Sequence, residues 1–180
     1  MVKRGCTTLA LAGCLLAGAV GPSVAAAADS VSGDGAVNEF GVFKTKLVIS
    51  ASSGSNGENP SGRASGQALL GGPAFDSGDA LFGAAPAVPM SFSGKVTCLS
   101  VKGNKAVVKY GFDESADPAF LKDGGIEVFI TDNGVGRNDT VGFLPPQDAV
   151  TWQLTDPTRC DPLDFSPFQV RAGDFSVTDG

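Results

Sequence analysis

The chain has 180 residues, 13 Lys and Arg against 19 Asp and Glu for a formal net charge of −6, and no histidine. The missing histidine excludes Ser-His-Asp triads, Cys-His dyads, imidazole bases and histidine-ligated catalytic zinc. The acidic balance argues against nucleic acid and anionic membrane surfaces as partners, because both reward a basic face.

Lys3 and Arg4 open the chain, an apolar run follows from Thr7 to Val20, and small residues at Ala25 to Ala28 precede the first acid, Asp29. That order describes a secretory signal peptide over residues 1–28, with cleavage expected after Ala28. The apolar run is too short for a membrane span, which needs ~20 predominantly apolar residues. An alternative is a lipoprotein: Leu11-Ala12-Gly13-Cys14 matches a lipobox, which would make Cys14 the acylated anchor. Cleavage after Ala28 removes Lys3 and Arg4 and no acid, taking the formal charge from −6 to −8 over residues 29–180. That stretch is long enough for one domain with its own core. Cys6 and Cys14 leave with the signal. Cys98 and Cys160 remain, an even pair expected to form a disulfide in an oxidising compartment. Closing a loop of that length is worth roughly 4 kcal/mol on the chain-entropy estimate.

Residues 29–38 are small and polar and read as a flexible N-terminal arm before a β domain over 39–180. Phe40 to Ala51 alternates, with Phe43, Thr45, Leu47, Ile49 and Ala51 on one face and Lys44, Lys46 and Ser50 on the other, which predicts a strand. The Gly-, Ser- and Asn-rich run from Ser52 to Gly62 is a loop. Arg63 to Leu70 can return as a weaker strand, interrupted by Gly66, and Gly71 to Met90 reads as an extended connection with a short strand near Ala80 to Phe82. The clearest element is the hairpin Gly94 to Phe112. Its turn at Lys102-Gly103-Asn104 joins two β-branched runs, and its second strand sets Ala106, Val108, Tyr110 and Phe112 against Lys105, Val107, Lys109 and Gly111. Asp113 to Gly125 can hold one helical turn. Ile126 to Thr131 alternates again and ends at Asp132-Asn133-Gly134. Further strands are expected at Thr140 to Leu144, at Val150 to Leu154, and over Phe168 to Val170 with Asp174 to Thr178. Asp156 to Pro167 is a loop that a Cys98–Cys160 bridge would pin to the hairpin.

About seven to nine short strands with turn signals between them and no crossover helix predict an all-β fold, a single antiparallel barrel, with a two-sheet sandwich as the alternative. Several pieces in order carry a resemblance: Gly57-Glu58-Asn59-Pro60-Ser61-Gly62, Gly94-Lys95-Val96-Thr97-Cys98-Leu99, Gly103-Asn104-Lys105-Ala106, Thr131-Asp132-Asn133-Gly134 and Asp174-Phe175-Ser176-Val177-Thr178-Asp179. Together they resemble a group of secreted proteins of high-GC Gram-positive bacteria. The resemblance implies a secreted β-rich domain and lends no activity.

Candidate chemistry is sparse. Asp132, Asn133, Asn138 and Asp139 gather two carboxylates and two amides around turn glycines, the hard oxygen ligands that calcium prefers, although the spacing departs from an EF-hand. As a hairpin loop the segment needs no ion, and no other cofactor is implied. A glycosidase needs only two suitably separated acids, for which Glu58, Asp113, Glu114 and Glu127 qualify by type alone. The twelve Phe read as core. A closed barrel of about eight strands can also hold one small ligand, with Trp152 and Tyr110 the first residues to examine. The chain is therefore read as a secreted, extracellular, non-enzymatic β-domain, a structural or interaction module with an extracellular or cell-surface protein partner. The alternatives are a small barrel binding an apolar ligand and a calcium-stabilised module.

Overall fold

The computed structural model describes residues 28–39, 43–70, 88–135, 137–161 and 164–180. Apart from Ala28, the expected signal peptide lies outside the described residues, as does the strand expected near Ala80 to Phe82. Eight strands in sequential order form a closed antiparallel barrel: β1 (Asp29–Glu39), β2 (Phe43–Ser53), β3 (Ser61–Leu70), β4 (Val88–Lys102), β5 (Lys105–Phe112), β6 (Gly125–Thr131), β7 (Thr140–Phe143) and β8 (Phe168–Thr178). Each strand pairs with the next, and β8 returns to pair with β1, so the barrel holds and the sandwich alternative does not.

Alternation dictates what the barrel encloses. Leu47, Ile49 and Ala51 of β2, Val96 and Leu99 of β4, Ala106, Val108, Tyr110 and Phe112 of β5, and Ile126, Val128 and Ile130 of β6 are all buried in one core. The interior is filled by aromatic rings that glycines make room for. Gly66 lies opposite Phe92 in the β3–β4 register, and any side chain there would run into the Phe92 ring. Gly35 stands in the same relation to Phe175. Phe92 and Phe112 have centroids 4.8 Å apart, and Tyr110 meets Phe112 edge-on at 5.8 Å. The outward positions of β2 to β4 are mostly polar, Lys44, Lys46 and Ser50, then Arg63, Ser65 and Gln67, then Ser91, Ser93 and Lys95, with Val48, Leu69 and Pro89 the apolar ones among them. A barrel standing in lipid would carry an apolar outer band. Among the described residues no helix is long and apolar enough to cross a membrane.

Two expectations require correction. Residues 29–38 are not a flexible arm but most of β1, paired along its length with β2 and β8. Its inward positions run Val31, Gly33, Gly35, Val37, so the polar look comes from Gly35, which leaves room for the Phe175 ring, from Gly33, which lies against the β8 backbone, and from serines facing outward. Val150 to Leu154 is not a strand but part of helix α1 (Ala149–Leu154), capped by Asp148, whose carboxylate accepts the Thr151 N–H at 2.9 Å. Of its alternating trio only Trp152 is buried, against Gly125, while Val150 and Leu154 face solvent. A second layer adds to this: the segment between β7 and β8 passes over the second face of β5 and β6 and buries Lys109, Glu127 and Phe129.

The remaining elements fall as expected. Gly103, at φ 61°, supplies the left-handed residue in the β4–β5 turn, and a 3₁₀ turn at Ala119–Leu121 is the single helical turn between β5 and β6. Cys98 and Cys160 are bonded, with Cα atoms 5.6 Å apart, and tie the covering segment to β4.

Candidate functional site

Sequential antiparallel order places the connection 113–124 and the described part of 144–167 at one end of the barrel, and 54–60, 103–104 and the described part of 132–139 at the other. Long connections are where binding usually resides. At that first end, where β1 and β3 finish and β2 and β4 begin, lies a cavity of about 650 Å³.

Register builds it. Val37 pairs with Thr45, Thr45 with Ala68 and Ala68 with Met90, so these four side chains form one inward row across β1 to β4. Val37, Thr45 and Ala68 are buried and Met90 is half-buried, so the surface open to the cavity comes mainly from the rows on either side. The rows on either side point outward and make its lip. One holds Asn38, Lys44, Leu69 and Pro89; the other holds Ala36, Lys46, Gln67 and Ser91. Arg171 of β8 and Asp117 complete the rim. Asp117 is fixed there by its backbone, exchanging N–H···O bonds of 2.8 and 2.9 Å with Ser91.

Below this row the barrel is packed. Tyr110 lies in the aromatic block rather than against the cavity. It is fully buried, its hydroxyl has no hydrogen-bond partner among the described residues, and burial pushes its phenol well above the usual range. Trp152 sits outside the barrel wall on α1. Neither aromatic named from the sequence therefore lines the cavity.

The acidic loop does come together, around backbone amides. Asp132 accepts the N–H of Gly134 at 2.7 Å through Oδ1 and that of Val177 at 3.1 Å through Oδ2. Asp139 accepts the N–H of Asn133 at 2.9 Å and that of Phe175 at 2.7 Å. Asn133 donates its side-chain amide to the Asn138 carbonyl at 2.9 Å. Two of these bonds reach β8, beyond the point where β7 stops pairing with it. The β7–β8 ladder consists of Thr140 with Gln169 and Val141 with Phe168. The carboxylates of Asp132 and Asp139 take over where that ladder ends, so this loop seals the barrel seam. Asp174 lies alongside, its carboxyl raised by a hydrogen bond to Asp139, by that group's charge and by Asp132. Among the described residues no group of three or more His, Cys, Asp or Glu is disposed to hold a metal ion.

The acids considered for hydrolysis each serve a separate local purpose. Glu58 accepts the Asn56 N–H at 2.8 Å within the β2–β3 turn. Asp113 is held down to about 2 mainly by hydrogen bonds from Ser115, and also pairs with Arg63 at 2.8 Å. Glu114 lies 3.6 Å from Lys122. Glu127 is buried under the 144–167 segment, 3.7 Å from Lys109, and accepts the Asp161 N–H at 2.9 Å. Its carboxyl is raised, chiefly by burial.

No family model, curated protein or solved structure matches this chain. The cavity row is what sequence reasoning missed. Thr45 was visible as an inward position of β2, but Val37 lay in a segment read as an arm and Met90 in one read as a connection. Their alignment depends on register across four strands, which no local pattern reveals.

Proposed function

We propose that the protein is an exported, disulfide-tied β-barrel that binds a small ligand by its apolar part at the β1–β4 rim. The observation carrying this reading is the cavity of about 650 Å³ over the Val37, Thr45, Ala68 and Met90 row. Its volume falls within the ~300–1,000 Å³ of small-molecule sites, and a mainly apolar lining with a few polar groups is their usual composition. The ligand belongs at the rim rather than the barrel centre, because the Phe side chains that would have lined a central cavity pack against one another. Export is supported by the signal-like N-terminus, by the Cys98–Cys160 pairing and by the resemblance to secreted proteins.

Titration calorimetry with octan-1-ol tests the reading on the mature chain. Saturable one-to-one binding is expected, with Ala68→Phe abolishing it while the circular dichroism spectrum and melting midpoint stay within a few degrees of the parent. Absence of saturable binding, or undiminished binding by a folded Ala68→Phe variant, would refute it.

A further inference from the structure

The outer wall of the barrel holds a side-chain cluster that the cavity does not use. Cys98 of β4 is in register with Lys109 of β5, and Lys109 with Glu127 of β6, so the three stand in one row beneath the covering segment. That segment meets the row at two successive residues: Cys160 is bonded to Cys98, and Asp161 reaches the other two. Of the described lysines only Lys109 is buried, at 1% exposure, and Glu127 beside it is 3% exposed. Lys109 Nζ lies 3.3 Å from Asp161 Oδ2, which is one bond from the carboxyl carbon, and 3.7 Å from Glu127 Oε2. Glu127 Oε1 accepts the Asp161 N–H at 2.9 Å. A buried ion pair contributes little stability by itself. An amine, a carboxyl against it and a second carboxyl able to carry protons between them are, however, the components of an amide-forming site.

We infer that Lys109 and Asp161 condense to an intramolecular isopeptide bond, with Glu127 carrying the protons. The Lys109 nitrogen attacks Asp161 Cγ, an N–C bond forms, a C–O bond breaks, and the two protons that the ammonium gives up leave on the departing oxygen as one water. Glu127 takes each proton from the nitrogen and passes it to that oxygen, so it ends the step as it began, while one positive and one negative charge disappear together. Burial raises the Glu127 carboxyl, which suits a group that must both accept and release protons. Asp161 is half-exposed, which gives the water a way out. The acylated nitrogen keeps one hydrogen, and the Thr155 carbonyl, 3.1 Å from Nζ, is placed to accept it. Holding the groups in one geometry makes the step unimolecular, and well-oriented partners reach effective concentrations of ~10⁵–10⁸ M. The disulfide brings Asp161 to the row, and the amide then keeps the covering segment in place when that disulfide is reduced.

Mass spectrometry of the mature chain, incubated at neutral pH until its mass is constant and then reduced, tests this. The parent is expected to be lighter than its sequence by one water. Trypsin should release a branched product joining residues 106–122 to 160–171, because an acylated Lys109 is no longer cut. Asp161→Ala, at a half-exposed site, should fold with its disulfide intact and keep the full mass. Glu127→Gln, whose oxygen can still accept the Asp161 N–H, should lose water at least about 100-fold more slowly. In reductant the parent should melt several degrees above Asp161→Ala. A reduced parent at full mass, a water lost without that branched product, or a loss that survives Asp161→Ala overturns the inference. Condensation of Glu127→Gln at the parent's rate overturns the proton-carrying role of Glu127.

Discussion

Asp139 carries more of the barrel's closure than its place in a turn suggests. It is 1% exposed, and its two carboxylate oxygens hold the amides of Asn133 and Phe175 at 2.9 and 2.7 Å. Its carbonyl accepts the Val170 N–H at 2.9 Å. In Asp139→Asn, one oxygen can still accept, but the side-chain NH₂ faces the other backbone donor. The change therefore loses a charge-assisted hydrogen bond, about 1.5–3 kcal/mol, and leaves a buried donor unmet at about 1–3 kcal/mol. Removing the charge also relieves its repulsion with Asp174, which places the net loss near 2–4 kcal/mol. For a domain of this size that lowers the melting midpoint by roughly 5–15 °C. Asp132→Asn, which gives up a longer bond at a half-exposed site, should cost about 1 kcal/mol. Thermal unfolding followed by circular dichroism gives the midpoints, and hydrogen exchange should show the Phe175 amide losing protection first. A loss below about 1 kcal/mol for Asp139→Asn, or an unchanged Phe175 amide, would refute the assignment of this side chain to the seam.

Three further substitutions probe other parts of the fold. Tyr110→Phe removes a buried hydroxyl that has no partner; it should raise stability by about 1 kcal/mol in denaturant titrations, whereas a fall would mean that the hydroxyl is bonded. Lys109→Met strands Glu127 beneath the 144–167 segment and should cost about 3–5 kcal/mol. Adding Glu127→Gln, whose oxygen can still accept the Asp161 N–H, should recover more than half of that, and strictly additive losses would show the pair to be uncoupled. Asp174→Asn tests the raised carboxyl. A carboxyl that binds its proton more tightly in the folded state adds stability below its unfolded value, about 3.9, and loses it as pH rises through the folded one. The variant should therefore melt higher than the parent at pH 7 and no higher at pH 3, and a gain that persists at pH 3 would contradict the charge explanation.

Much of the skeleton was legible because barrels obey a period of two. β2, β5 and β6 show their inward rows directly in the alternation of Leu47 and Ile49, Val108 and Tyr110, Val128 and Ile130. The reading failed where a second layer or a ring altered the pattern. Lys109, Glu127 and Phe129 occupy positions that alternation assigns to solvent, and only the passage of 144–167, pinned by Cys160, buries them. β1 escaped notice because two of its inward residues are glycines, Gly35 under the Phe175 ring and Gly33 against the β8 backbone. Val150, Trp152 and Leu154 fit a strand by spacing, but Pro145 and Pro146 break the run before them and the Asp148 cap then starts a helix. The acidic loop shows a different limit. Oxygen-rich side chains suit a cation and a backbone amide equally well, and the choice between them turned on β8, some thirty-five residues downstream of Asp139. The cavity row was invisible for the same reason, since pairings of Val37 with Thr45 and of Ala68 with Met90 exist only once the strands are in register.

A nitrogen–proton correlation spectrum of the labelled mature chain, titrated with octan-1-ol, addresses the central claim most directly. Saturable shifts concentrated at Val37, Thr45, Ala68 and Met90, with the Phe92, Tyr110 and Phe112 block moving little, are what an apolar site at the β1–β4 rim predicts. Shifts that never saturate, or that scatter over the outer wall and leave those four amides still, would contradict it.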